Sequence, residues 1–270
     1  MSFKIGFVAD YPDDASFPVV NAAQQNGSKP RKSVVRVYFD TRNTTLSYYN
    51  DQFDLHCGDL VYVDGKLGGL RGRVTDVNYN FKIKVSEYKR VIAVADTTVH
   101  GQFFTAGSHF VTFDRQTIPR EKVRMWFVAP LKDDDVFVSG NDDTAFCLDN
   151  LSEMKIGPAI AERGHNYYLE NRVRYICVEG QRGYAIVEGS EAYEVEFEYH
   201  NGEISGLVCS CFCSYNCKHE FAAMLQLRET LEWIGKHYES KCKDDYFAAI
   251  TKGDLFTFAI DGKEAVSLSL

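Results

Sequence analysis

The feature that most limits how this 270-residue chain can fold is Cys209-Ser-Cys211-Phe-Cys213-Ser-Tyr-Asn-Cys217-Lys-His219, which holds four of its eight cysteines. A C-x-C pair followed after five residues by C-x-H offers three soft thiolates and one imidazole, the donor set of closed tetrahedral Zn²⁺ sites. Side chains alternate faces along an extended segment, so Cys209 and Cys211 point the same way and can reach one ion at about 2.3 Å. Burial of small apolar thiols and a C-x-C redox pair are the competing readings. Four cysteines in nine residues, with a histidine two further on, favour the metal.

The flanks supply a frame for this hook. Tyr193-Glu-Val195-Glu-Phe197-Glu-Tyr199 alternates apolar and acidic residues, and His200-Asn-Gly-Glu203 turns the chain into Ile204 to Val208. That pattern predicts a β-hairpin with the C-x-C pair at its tip. Glu220 to Ile234 predicts a helix, because Phe221, Met224, Leu225, Leu227, Leu231 and Ile234 fall on one face. Cys217 then stands at the helix start and His219 in its first turn, where the positive end of the helix dipole favours a thiolate.

These residues resemble a SWIM zinc finger, whose pattern is C-x-C, a variable gap, then C-x-H. Ala161-Glu-Arg-Gly164, Tyr167-Tyr168, Arg172-Val173, Val187-Glu-Gly189-Ser190 and Tyr193-Glu-Val195 are similar to the strands that precede the hook in bacterial members. The likeness covers residues 158–235. Proline often follows the family's second cysteine, whereas Phe212 and the additional Cys213 stand here. Register with the family implies Cys209, Cys211, Cys217 and His219 as ligands of one structural Zn²⁺ and leaves Cys213 a spare thiol. With Cys213 in place of Cys209, only three residues would precede Cys217. The resemblance further implies DNA-binding or protein–protein roles beside helicase, transposase and recombination-associated proteins.

Charge divides the chain and bears on that choice. Residues 1–130 carry 17 Lys and Arg against 13 Asp and Glu, a net +4, whereas residues 151–240 carry 8 against 14, a net −6. A Cys₃His zinc centre adds one more negative charge, so the hook lacks the basic footprint that neutralises phosphates. A protein partner is therefore expected for the hook, with nucleic acid left to the N-terminal part. The candidates there are Lys29, Arg31, Lys32, Arg71, Arg73, Lys82 and Lys84, with Lys82 and Lys84 expected on one strand face. The first residues have too short an apolar run for a signal peptide, and no apolar run approaches about 18 residues. Together with clustered rather than paired cysteines, this gives the expectation of a cytoplasmic protein without a membrane segment.

Short β-branched or aromatic runs dominate the first 130 residues: 33–39, 45–49, 60–63, 72–77, 81–85, 90–95, 102–105, 109–113 and 123–128. They predict a small barrel or sandwich, weakly similar to SH3-like barrels around Gly58-Asp-Leu-Val-Tyr-Val63. The overall expectation is an α+β, mostly β chain. Its parts are a β-rich domain over 1–130, an acidic connector over 131–157 around Asp133-Asp-Asp135, and the hook module over 158–235. The last part, 236–270, is read as a helical turn over Cys242 to Ile250 and a closing hairpin from Asp254. No P-loop, G-x-S-x-G or H-E-x-x-H is present, and three thiolates plus an imidazole make a closed, weakly Lewis-acidic ion. The reading is thus a non-catalytic interaction protein with no small-molecule substrate.

Overall fold

A computed structural model describes residues 30–131, 138, 140, 144–211, 213, 215–238 and 246–259. The first body is a five-stranded antiparallel sheet made of β1 (Ser33–Phe39), β2 (Thr44–Asn50), β3 (Leu60–Val63), β4 (Gly72–Asn78) and β5 (Val91–Ala95), in the order β2-β1-β4-β3-β5. Strict alternation in β1 puts Ser33, Val35, Val37 and Phe39 inside and leaves Arg36 exposed, the pattern of a strand with one face on a core. The sheet curls until its edges meet. The Tyr49 N–H donates to the Lys89 carbonyl at 2.9 Å, and Tyr49 bridges Arg90 in parallel. The small-barrel expectation holds for these strands.

The second body is an eight-stranded antiparallel sheet. Its strands are β6 (Phe103–Ala106), β7 (Phe110–Phe113), β8 (Phe146–Cys147), β9 (Val173–Glu179), β10 (Arg182–Glu188), β11 (Ala192–His200), β12 (Glu203–Cys209) and β13 (Tyr246–Thr251), in the order β6-β7-β13-β9-β10-β11-β12-β8. Both faces are covered, so its central strands are apolar throughout rather than alternating. Val173, Ile176 and Val178 enter one core with α2 (Pro158–Leu169) and α3 (Lys218–Tyr238), while Tyr175 and Cys177 enter the other. That other core holds α1 (Arg120–Phe127), α4 (Lys252–Ala259) and, from the barrel, Leu60 and Ala95.

Several expectations are corrected here. Residues 123–128 were expected as a strand, but Val123, Trp126 and Phe127 fall at helical spacing and form the buried face of α1. The stretch from Asp254, expected as a strand, lies in α4, and 246–250 is strand rather than helix. The start of α4 is fixed by an N-cap: the Asp254 N–H donates to Thr251 Oγ1 at 3.1 Å, and the Thr251 hydroxyl in turn donates to Asp254 Oδ2 at 2.5 Å. Residues 161–168 are helix, not strand. Residues 81–84 form no regular element, so Lys82 and Lys84 share no strand face.

The expected boundaries also cut across the sheets. β6, β7 and α1 come from 1–130 yet belong to the second sheet and its core. From 131–157 come β8 and the buried Phe146, Leu148, Leu151 and Met154. Asp133 to Asp135 and the hairpin's turn at Asp261-Gly262 lie outside the described residues. No helix among the described residues is long and apolar enough to cross a membrane.

Candidate metal centre

The predicted hairpin forms, with Asn201 and Gly202 in left-handed conformation at φ 49° and 89°, as a tight two-residue turn requires. Cys209 ends β12 at the opposite end from that turn, so the C-x-C pair leaves the sheet instead of sitting at a hairpin tip. The chain then folds back to Cys217, which immediately precedes α3. One ligand atom from each of Cys209, Cys211, Cys217 and His219 lies within 4.8 Å of all the others. His219 Nδ1 stands 3.7 Å from both the Cys209 and Cys217 sulfurs. Atoms held at about 2.0–2.3 Å from one ion at tetrahedral angles are about 3.5–3.8 Å apart, so these separations fit a single Cys₃His-bound ion.

Helix α3 is capped by the site itself. The Cys217 N–H donates to Glu220 Oε2 at 2.6 Å, and the Glu220 N–H donates to Cys217 Sγ at 3.5 Å. This is a reciprocal capping box with a sulfur where serine or threonine usually stands. The Cys217 thiol is held well below the usual range, first by the hydrogen bond with Cys209 and also by His219 and its backbone donor. Cys209 is pushed up, because Cys217 takes the charge first and burial opposes a second thiolate. In the metal-free protein burial, reinforced by the nearby Cys217 charge, raises Glu220 to about 8. A divalent cation reverses this local logic, since it stabilises every thiolate at once.

Aromatic walls fix the imidazole. Tyr193 stacks on His219 at 4.1 Å and 17°, and Tyr167 of α2 lies 5.5 Å away. Nδ1 is the nitrogen that faces the sulfurs, and among the described residues the buried Nε2 has no hydrogen-bond partner. Lys218, between two ligands, donates to the Tyr167 hydroxyl at 2.7 Å. α2 reaches α3 this closely because position 164 is glycine: a Cβ there would fall 2.8 Å from the Lys218 carbonyl oxygen. Sequence reasoning missed Tyr167, Gly164 and Tyr193 in these roles. Glu220's capping role was missed as well, although Cys217-x-x-Glu220 has the spacing of a capping box. Cys213 is exposed.

The basic candidates do not form one group: Arg71 and Arg73 are engaged inside the fold, apart from the others. Lys29 lies outside the described residues. Arg71 donates to the Trp126 carbonyl at 3.1 Å and packs over the Phe258 ring at 4.7 Å, while Arg73 donates to the carbonyls of Gly58 and Thr257. Both clasp the barrel against α1 and α4. Arg31, Lys32, Lys82 and Lys84 are exposed, and Lys84 pairs with Glu87 at 3.0 Å. Of the acidic strand, Glu196 and Glu198 are exposed, but Glu194 accepts a bidentate pair from Arg124 at 2.6 and 3.0 Å.

No family model matches the chain, and no solved structure matches it significantly. Over 96 residues it is 32% identical to the uncharacterized protein MJ1493 of Methanocaldococcus jannaschii, a match covering 34% of this chain and 41% of that protein.

Proposed function

We propose that Cys209, Cys211, Cys217 and His219 hold one structural Zn²⁺, and that the chain is a non-catalytic interaction protein of the SWIM zinc-finger kind. Its hook would serve protein–protein contacts in a DNA-associated or regulatory assembly in the reducing cytoplasm. The convergence of three thiolates and one imidazole within 4.8 Å carries the reading. The donor set favours zinc over harder cations, and four protein ligands leave no open position for a substrate or water. Exposed Glu196 and Glu198 on β11 and exposed Tyr215 in the hook suit a protein surface better than phosphates.

Zinc content of the purified chain tests this. One Zn²⁺ per chain is expected. Cys213→Ser should keep it, Cys209→Ser should lose it, and Co²⁺ substitution should give the absorption of a tetrahedral thiolate site. Loss of metal from Cys213→Ser with retention in Cys209→Ser would overturn the ligand assignment.

A further inference from the structure

We propose that the end of the barrel where β1 begins binds single-stranded nucleic acid, independently of the metal centre. Val34 pairs with Asn78 and Ser33 with Asn50, so the residues just before β1 run beside those just after β4 and β2. There the exposed Arg31 lies over the Tyr79 ring at 4.3 Å. Tyr49 meets Phe81 edge-on at 6.2 Å, lies beneath the Arg90 guanidinium at 5.2 Å, and bonds the Lys89 carbonyl.

Contacts and chain continuity therefore bring six cations to this end: Arg31, Lys32, Lys82, Lys84, Lys89 and Arg90. Lys84 is paired with Glu87 and Arg90 with Asp51. Among the described residues no ion pair occupies Arg31, Lys32, Lys82 or Lys89, and all four are exposed.

Free cations interleaved with aromatic rings match a single strand, whose phosphates need counter-charges and whose unstacked bases need π-faces. A guanidinium over a tyrosine extends that platform, because bases also stack on guanidinium planes. Tyr79 and Phe81 are each half-buried, so an edge of either ring remains accessible. A duplex hides its bases and would gain nothing from the rings. An acidic peptide would use the cations alone.

The test is fluorescence anisotropy of the zinc-loaded full chain with labelled oligothymidylate, a mixed-sequence RNA strand and a duplex of the same length. With four free cations, affinity for the single strands should fall about 50-fold between about 50 and about 200 mM salt. Tyr79→Ala should weaken binding about tenfold at unchanged salt slope, and Tyr79→Phe should not weaken it. Lys82→Ala should reduce the slope by about 0.7. Absence of binding at the lower salt, undiminished binding by Tyr79→Ala, or tighter binding of the duplex would overturn the proposal.

Discussion

Two glycines on neighbouring helices give opposite expectations for one substitution, and the difference tests the packing behind the metal centre. At Gly164 in α2 a Cβ would fall 2.8 Å from the Lys218 carbonyl oxygen and 2.9 Å from the Phe221 Cβ, whereas ordinary contact starts at 3.4 Å. Neither atom is the end of a flexible side chain, so α2 and the first turn of α3 must part by about half an ångström. Overpacking of this kind costs about 1–3 kcal/mol, and the higher helix propensity of alanine returns about 1 kcal/mol. Gly164→Ala should therefore destabilise the protein by about 1 kcal/mol. Gly235, near the end of α3, is exposed, and among the described residues nothing lies within 4 Å of the same atom. Gly235→Ala should stabilise by about 0.5 kcal/mol, less than the full propensity because helix ends fray. At an m-value of about 3 kcal/mol/M the two urea midpoints should stand about 0.5 M apart, on either side of the wild type. The assay is urea unfolding with zinc in excess, followed by far-ultraviolet circular dichroism. If Gly164→Ala were as stabilising as Gly235→Ala, the close approach of α2 to the hook would be refuted.

Two further outcomes follow from the site. In the chelated protein Glu220 keeps its proton up to about 8 when folded but only to about 4.3 when unfolded. The folded state therefore holds the extra proton between those values, and this group's contribution to stability is lost as pH rises through about 8. Glu220→Gln should flatten the decline, and equal urea midpoint shifts for both proteins between pH 5 and 8 would contradict it. Chelation should raise hydrogen exchange over 207–221 and leave β1 to β5 protected, because structural zinc contributes folding energy where its ligands are. Uniform loss of protection across the chain would show that the barrel and the hook unfold together.

The parts that local period can encode were legible. Alternation marked β1 and β11, helical spacing marked α3, and the cysteine and histidine spacing marked the ligand set that converges. The misread elements each have a physical cause. Val123-Arg-Met-Trp-Phe has β-forming side chains, and only burial at i, i+3 and i+4 reveals the eight-residue helix α1. Phe247-Ala-Ala-Ile250 lacks alternation because β13 is covered on both faces. Its pairing with β7 joins Thr112 to Ala249 across more than half the chain. No local pattern carries such a pairing, which is why 1–130 read as one body. Arg71 and Arg73 read as nucleic-acid candidates because sequence shows a charge but not the carbonyls it caps.

How a metal site can be built on this sheet depends on one residue. Between Glu196↔Val208 and Glu198↔Ser205 the register shifts, so Phe197 alone opposes both Gly206 and Leu207. Gly206 takes φ +57°, the left-handed position of a bulge that glycine fills without strain. Side chains alternate with period two, so one extra residue reverses the faces of everything after it. Ile204 is buried in the core under α3, and strict alternation from it would send Leu207 and Cys209 to the opposite face. With the bulge, Leu207 and Cys209 pack against the core that Ile204 enters, and the Cys209 sulfur comes within 3.7 Å of His219 on α3. The sequence signal for this was a lone glycine inside a strand, Ile204-Ser-Gly-Leu-Val-Cys209. A bulge is a standard reading of such a glycine; its consequence is that the first cysteine faces the helix carrying the last two ligands.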